Sequence, residues 1–293
     1  MVSTFNRCSG FKLFKQYRNF CTMSGLQINT DGLPLKDVVT SLRTFADPAL
    51  AGSWDNVGLL IEPTDPKFIS HALVTNDLTE AVMREAIDLR VDLIIAYHPP
   101  IFTPLKSITT NSWKERIVIK CMENKIALYS PHTSFDSIQG GVNDWLASAF
   151  SIESSKPIQV GFNENCGMGR LCQLAFPISI NEAVDLVKKL TQLEHVRLAR
   201  SVKSNSTINT VAICAGSGTS VLQNVVADLY LTGEMFHHDV LDAVHKGIHV
   251  ILTNHSDSER GYLKVFASKF SQILNNSVKI SVSERDADPL TTV

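Results

Sequence analysis

The sequence lacks three features that would each assign it to a protein class at once. Its 293 residues contain six cysteines but no C-x-x-C pair, which favours reduced thiols of an intracellular protein over a disulfide framework or a zinc ribbon. The 27 Lys and Arg residues are balanced by 29 Asp and Glu residues, so no basic excess indicates direct nucleic acid binding. No apolar run reaches the roughly 18 to 20 residues of a membrane span, so we expect a soluble protein.

Acidic residues are also absent from the first 30 residues, where basic and aromatic residues recur. The basic residues are Arg7, Lys12, Lys15 and Arg18. This pattern fits a mitochondrial presequence, and the alternative is a disordered leader that a start at Met23 would remove. We therefore expect residues 1–30 to lie outside the folded body. The expected location is cytoplasmic, mitochondrial or both, with the nucleus as a further alternative.

The rest of the chain has the composition of a globular protein, with 44% hydrophobic and 19% charged residues. Predicted strands and helices alternate along it, which indicates an α/β fold. The alternation of predicted strands and helices is less regular over residues 151–230 and becomes regular again after residue 230. We therefore predict a larger α/β domain formed by residues 31–155 and 231–293, and a smaller α/β lobe formed by residues 156–230.

The clearest structural unit is a predicted strand over residues 68–74, a helix that ends near residue 90, and a second strand over residues 91–96. Asp77 or Thr79 is the expected N-cap of the helix. Strand, helix and strand within about thirty residues predict a right-handed parallel βαβ unit.

A histidine stands at the end of the second strand of this unit. His98 is followed by Pro99 and Pro100, which cannot continue a sheet ladder. Ligands bind at this edge of an open α/β sheet, so His98 is a candidate for chemistry. The alternative is a packed or solvent-facing histidine.

Polar residues also follow the next predicted strand, over residues 125–130. His132 and Asp136 come soon after its end. If this strand is the parallel neighbour of the strand before His98, their carboxyl ends lie at one edge of the sheet. The segment can therefore converge with His98 on one site.

A further strand, predicted over residues 248–252, ends close to His255 and Glu259. Ser256 or Asp257 is the expected cap of the next helix, which would place His255 at its start and Glu259 within its first turn. Side chains four residues apart on a helix face one way and can meet one metal. The alternative is that Glu259 only complements the helix dipole.

Residues that can ligate a metal thus follow several predicted strands, namely His98, Asp136, His255 and Glu259. Imidazole with carboxylate is the ligand set of zinc, iron or manganese sites, and bridging carboxylates favour two-metal centres. We therefore predict that the larger domain binds divalent metal. A Gly-Ser-Gly turn at residues 216–218 is a separate candidate for anion binding through its backbone N–H groups.

Several motifs occur in a characteristic order along the chain. They are S-W-D-N-V-G-L-L at 53–60, Y-H-P-P-I-F at 97–102, H-T-S-F-D and G-G-V-N-D within 132–144, T-G-E-M-F-H-H at 232–238, and N-H-S-D-S-E-R-G at 254–261. Together they resemble the Nif-three-like family, also labelled the GTP cyclohydrolase I type 2 family, over about residues 33–285. The resemblance implies two-lobed α/β subunits in a toroidal homohexamer, with a dinuclear metal site that faces the internal cavity.

The resemblance also implies a ligand set. The family uses a His-His pair, an Asp and a His-x-x-x-Glu, which fall on Tyr97-His98, Asp136, His255 and Glu259. Tyr97 departs from this pattern, and tyrosine ligates poorly unless it is deprotonated, at about pH 10 when unperturbed. This departure affects the occupancy of one of the two metals. Auxiliary ligands, with a supporting or structural role as the alternative, are His132, His237 and His238.

A site of this kind supports hydrolysis. The first hypothesis is a metal-dependent hydrolase that acts on a nucleotide-like or other phosphorylated small molecule. Glu234 is the candidate general base or ligand-orienting residue, and the alternative is a surface ion pair. The second hypothesis is a non-enzymatic interaction protein, because relatives in the family are associated with transcriptional regulators. A third is metal storage or delivery.

Overall fold

A computed structural model describes residues 32–65, 67–203 and 207–293, and two β-sheets of five and six strands organise this part of the chain. Strands and helices alternate along it, which confirms the predicted α/β class. The predicted leader, residues 1–30, lies outside the described residues. Within the described ranges, no helix is long and apolar enough to cross a membrane.

Short strands and helices follow one another along the described residues. The strands are β1 (Leu33–Pro34), β2 (Gly58–Ile61), β3 (Phe68–Ile69), β4 (His71–Thr75), β5 (Leu93–Ala96), β6 (Ala127–Ser130), β7 (Ile152–Lys156), β8 (Gln159–Val160), β9 (Gly167–Met168), β10 (Arg170–Ile178), β11 (Arg197–Ala199), β12 (Ile208–Ser217), β13 (Leu229–Glu234), β14 (His249–Leu252) and β15 (Lys279–Val282). The α-helices are α1 (Leu35–Phe45), α2 (Glu80–Asp88), α3 (Trp113–Glu123), α4 (Thr133–Ser137), α5 (Val142–Ala147), α6 (Ile180–Thr191), α7 (Thr219–Leu222), α8 (His237–Lys246) and α9 (Tyr262–Ile273).

The five-stranded sheet has the order β15-β4-β5-β6-β2. Its strands β15, β4, β5 and β6 run parallel, and β2 pairs with β6 in the antiparallel direction. The predicted βαβ unit is therefore confirmed as β4, α2 and β5. Thr79 is the N-cap of α2, since its side chain accepts a hydrogen bond from Val82 N. The carboxylate of Asp77 is thereby left free for another contact.

The six-stranded sheet has the order β11-β14-β13-β12-β10-β7, in which β12, β13 and β14 are parallel. Strand pairing crosses the domain boundary predicted at residue 231. Strand β13 spans that boundary, and its backbone hydrogen bonds go to β12 and β14, whereas β15 pairs with β4 in the other sheet. Hydrogen bonding across a sheet joins strands that the linear pattern had divided.

One hydrophobic core contains buried side chains from both sheets and from α1, α5 and α9. Ile95 of β5 and Ile251 of β14 belong to it, and the rings of Phe135 and Phe266 pack within it at 4.7 Å between centroids. Full burial of each such side chain contributes about 1.5–3 kcal/mol. This shared core fixes one sheet against the other, and the strand ends that carry the polar residues meet beside it.

Candidate metal centre

His98 follows β5 and points into the space between the sheets. Backbone hydrogen bonds from Tyr97 N to Thr75 O and from His98 N to Asn76 O hold this strand end in place. The ring donates from Nδ1 to Asp77 Oδ1 at 2.9 Å. Its Nε2 is buried, makes no hydrogen bond within the described residues, and lies 3.3 Å from Glu259 Oε2. One ring nitrogen is thus anchored and the other faces a carboxylate.

His255 and Glu259 approach the same point from the second sheet. The predicted helix does not begin at Ser256, because Ser256–Ser258 forms a 3-10 turn and α9 starts only at Tyr262. The two side chains nevertheless meet, with His255 Nε2 at 3.4 Å from Glu259 Oε1. His255 donates from Nδ1 to Glu234 Oε1 at 2.8 Å, which corresponds to the ligand-orienting alternative for Glu234.

Three ligand atoms, one each from His98, His255 and Glu259, lie within 4.8 Å of one another. Gly216 keeps the space beside them open. A Cβ at this position would lie 2.6 Å from Glu259 Oε1 and 3.1 Å from His255 Nε2, and the φ of +65° also favours glycine. Two imidazoles and a carboxylate form a donor set that zinc uses in catalytic sites, with further positions left open. The residues present therefore fit a divalent metal.

His132 extends this cluster on the side of the five-stranded sheet. Its ring lies 5.4 Å from the ring of His98, centroid to centroid, and donates from Nδ1 to Asp55 Oδ1 at 2.7 Å. Asp55 also accepts a hydrogen bond from Thr133 N at 3.2 Å. Asp55 was not singled out as a site residue from the sequence, and its place in the S-W-D-N-V-G-L-L motif was the signal that could have identified it.

The histidines of the centre share one arrangement. In His98, His132 and His255, Nδ1 donates to a carboxylate, and Nε2 is left for a ligand. A metal-ligating histidine typically donates its other ring N–H to a carboxylate, which fixes its tautomer and orientation. His132 thus has the same anchoring as the two histidines of the cluster.

The charges around His98 favour a cation. Burial alone would lower the pKa of His98, but the carboxylates of Asp77 and Glu259 raise it to about 10. Burial raises the pKa of Asp77, yet its hydrogen bond and charge interaction with His98 leave it below the usual value. The site therefore stabilises positive charge, which a proton supplies when no metal is bound.

Asn76 is a contact of Glu259 that sequence reasoning missed. Its side chain is 0% exposed and donates from Nδ2 to Glu259 Oε2 at 3.2 Å. Its backbone N–H donates to Asp286 at 2.7 Å, and Asp286 pairs with Arg260 at 2.5 Å. The C-terminal segment thus holds the loop that carries Asn76 and Asp77. The Asn-Asp pair after β4 had the pattern of an ordinary turn.

Tyr97 and Asp136 contact each other beside the cluster. The Tyr97 hydroxyl donates to Asp136 Oδ1, and both side chains are buried. Burial and the nearby carboxylates of Asp136 and Glu259 raise the pKa of Tyr97 well above its usual value. Burial and the Glu259 charge raise the pKa of Asp136 to about 6. Tyr97 is therefore a protonated hydrogen-bond donor, and Asp136 lies outside the group of three close ligand atoms.

Other predicted residues are not brought to the cluster. His237 and His238 are exposed at the start of α8, where their rings contact each other at 5.4 Å between centroids. In the Gly-Ser-Gly turn, Gly216 N donates to Ser258 Oγ and Gly218 N donates to Thr232 Oγ1. These two amides are paired within the fold and do not offer their N–H groups to an anion, and Gly216 leaves open the space beside Glu259.

Comparisons with known proteins agree with the motif order. A family model described as Duf34/NIF3 (NGG1p interacting factor 3) matches residues 33–289. NIF3-like protein 1 of Drosophila melanogaster is 47% identical, with 91% of this chain and 92% of that protein covered. The NGG1-interacting factor 3 of Saccharomyces cerevisiae is 35% identical, with 88% of this chain and 96% of that protein covered.

Solved structures share the fold. A Bacillus cereus protein related to NIF3 superposes with a TM-score of 0.79 at 21% identity and covers 89% of this chain and 99% of its own. Reduced HcgD from Methanocaldococcus jannaschii superposes with a TM-score of 0.75 at 28% identity, with coverages of 86% and 98%. The family match includes both strand ends of the metal centre, and it confirms the resemblance found in the motifs. The chain therefore belongs to the Duf34/NIF3 family.

Proposed function

We propose that His98, His255 and Glu259 hold a divalent metal ion, and that the chain uses it to hydrolyse a nucleotide-like or other phosphorylated small molecule. The observation that carries the proposal is that His98, His255 and Glu259 bring three ligand atoms within 4.8 Å of one another. The buried Nε2 of His98 lies 3.3 Å from Glu259 Oε2 without forming a hydrogen bond of good geometry, so a cation bound between them would complete both groups. Zinc, iron and manganese suit these donors.

The chain's own residues would orient and charge such a site. Asp77 and Glu234 hold the two imidazole rings with Nε2 directed inward. A divalent metal would acidify water and polarise a substrate oxygen. Glu234 is exposed at the mouth of the site, so its carboxylate can also accept a proton from a reacting group while it orients His255.

A second metal ion would use His132 and Asp136. Glu259 lies in the group with His98 and His255, and its charge also raises the pKa of Asp136 in the second group. The Tyr97 hydroxyl already donates to Asp136, so a second ion would compete with that hydrogen bond. We therefore expect the ion at His98, His255 and Glu259 to be held more tightly than the second.

The test is metal analysis of the purified full chain together with a panel of phosphate-ester substrates. His98→Ala and Glu259→Ala should lose both bound metal and hydrolysis. The matched control is His238→Ala, an exposed histidine outside the cluster, which should retain both. Wild-type protein without metal, with both variants unchanged in every assay, would contradict the proposal. Labile metal without turnover would instead indicate storage or delivery.

A second candidate function is a non-enzymatic interaction protein linked to transcription. The printed name of the yeast relative, NGG1-interacting factor 3, favours it. A partner that co-purifies in stoichiometric amounts, and that remains bound to His98→Ala and Glu259→Ala, is the expected result for this function. Loss of the partner with the metal would favour a shared site instead.

Assembly and location are part of the same proposal. We expect the chain to form two-lobed subunits that assemble into a toroidal homohexamer in the cytoplasm, the mitochondrion or both. Light scattering on the purified full chain measures the assembly, and a monomeric mass would contradict the toroid. Imaging of a tagged full chain, with its processed size, tests the presequence.

A further inference from the structure

A cavity of about 310 Å³ opens beside the metal centre. It is lined by His98, His255 and Glu234 and by the C-terminal residues Asp288 and Leu290. Small-molecule sites typically begin at about 300 Å³, so a compact metabolite fits this space. A substrate bound in this cavity would therefore lie against the ligand cluster.

Arg197 is the only lysine or arginine among the residues that line this cavity. It begins β11, where it pairs with Leu252 at the end of β14, three residues before His255. The strand pairing thus places this cation at the same sheet edge as the ligands. Its side chain is exposed, and no ion pair or hydrogen bond of its guanidinium occurs within the described residues. Arg170, by comparison, pairs with Asp144 at 2.6 Å.

None of the carboxylates that line the cavity forms an ion pair with Arg197, and each accepts hydrogen bonds from other groups. Asp77 accepts from His98, and Glu234 accepts from His255. Asp288 accepts from the Ser256 hydroxyl at 2.6 Å and from Leu290 N at 2.8 Å. An unpaired guanidinium beside a cation site offers a planar fork that matches the oxygens of a phosphate group.

We propose that Arg197 is the specificity-determining residue that binds the phosphate group of the substrate in this cavity. This inference rests on the proposed function, since it assigns the residue that binds the phosphate of the substrate beside the metal ligands. Arg197 binds oxygens of the phosphate group, whose ester bond faces the ligand cluster in the same cavity. A neutral analogue of the substrate would leave Arg197 unpaired and bind less well.

The experiment measures binding of phenyl phosphate to the purified full chain by calorimetry, both after metal removal and after loading with Mn²⁺. Arg197→Gln should weaken binding by about 10- to 100-fold in either form, the range expected for a lost charged hydrogen bond. Arg197→Lys should lie between wild type and Arg197→Gln, because it retains the charge but not the fork. The matched control is Arg200→Gln, which removes an exposed arginine that bonds to Asn181 outside the cavity and should change nothing.

Equal binding by wild type and Arg197→Gln would overturn the inference, and so would the absence of any phenyl phosphate binding by wild type. Metal content, measured on the same samples, separates this outcome from failure of the proposed function. Protein that holds no metal but binds phenyl phosphate through Arg197 would support the inference and contradict the hydrolase. Protein that binds metal at His98, and whose phenyl phosphate binding is unchanged by Arg197→Gln, would support the metal site and contradict the inference.

Discussion

The two sheets present their histidines to the centre in the same way. In the five-stranded sheet His98 follows β5, and its partner Asp77 follows the parallel neighbour β4. In the six-stranded sheet His255 follows β14, and its partner Glu234 ends the parallel neighbour β13. Each pair thus consists of a histidine and a carboxylate from adjacent strand ends, which is where parallel strands converge.

The two pairs differ in burial. The side chains of His98 and Asp77 are 22% and 37% exposed, whereas those of His255 and Glu234 are 39% and 57% exposed. Because water screens exposed charges, the first pair should be the more strongly coupled of the two. The five-stranded sheet therefore supplies the more buried half of the site, and the six-stranded sheet supplies the more exposed half.

The largest effect is expected at Glu259, which contacts both halves. Glu259→Gln keeps the shape of the side chain but removes the charge that faces both Nε2 atoms, so metal affinity should fall by more than about 100-fold. Competition with a fluorescent chelator measures it, and His238→Ala is the control with unchanged affinity. If Glu259→Gln binds metal like wild type, the two halves do not share a site at this carboxylate.

The two anchoring carboxylates, Asp77 and Glu234, should differ in their effect on metal affinity, and the more buried Asp77 should have the larger effect. Loss of a carboxylate that orients a ligating histidine costs about 10- to 100-fold in metal affinity. Asp77→Asn should lie near the upper end of this range and Glu234→Gln near the lower end. The same chelator competition compares them. Equal losses would break the comparison between the halves, whereas a larger loss for Glu234→Gln would reverse it.

The pH dependence sharpens the role of His98. Because its carboxylate partners raise the pKa of His98 to about 10, a metal must displace a proton from it at neutral pH. Metal affinity should therefore rise by about tenfold per pH unit over the range below about pH 10 in which His98 is protonated. In metal-free protein the sign is opposite. The raised pKa stabilises the fold fully below pH 6.5, and this contribution is lost as the pH rises through about 10.

Two measurements test this expectation, metal titrations across the pH range and thermal unfolding of chelator-treated protein. His98→Ala, which should no longer hold the metal, should show a weaker pH dependence of thermal unfolding than chelator-treated wild type. A metal affinity that does not change with pH in wild type would show that His98 carries no proton to displace.

The smallest effect is expected from closing the space between the halves at Gly216. Gly216→Ala should lower the free energy of unfolding by about 1–2 kcal/mol, because its φ of +65° is unfavourable for alanine. Gly140→Ala is the matched control, since φ is +72° there and its Cβ would meet only Lys269 Nζ at 3.5 Å. Both variants should lose stability, but only Gly216→Ala should also weaken metal binding. Metal binding unchanged in both would show that Gly216 serves the turn alone.

Much of the candidate site was accessible from the sequence because its histidines and carboxylate follow strands. His98, His255 and Glu259 were predicted from buried apolar runs that end in polar residues, and the structure brings them together. Their anchors were not predicted. Asp77 had the pattern of a helix cap, and Asp55 that of a turn residue, because both roles use the same short carboxylate side chain. Asp55 anchors His132, which is distant in the chain, and Asp77 anchors His98, which follows another strand.

The α/β class, the family, and the histidines and carboxylate at the strand ends could all be predicted from the sequence, since local periodicity and motif order carry that information. The pairing of each carboxylate with its histidine could not, because it depends on which strands are adjacent within each sheet. The tertiary structure also decided that Tyr97 donates to Asp136 and that Arg197 lines the cavity. Burial and strand order, which no linear pattern contains, turn the same residue types into ligands, anchors or surface groups.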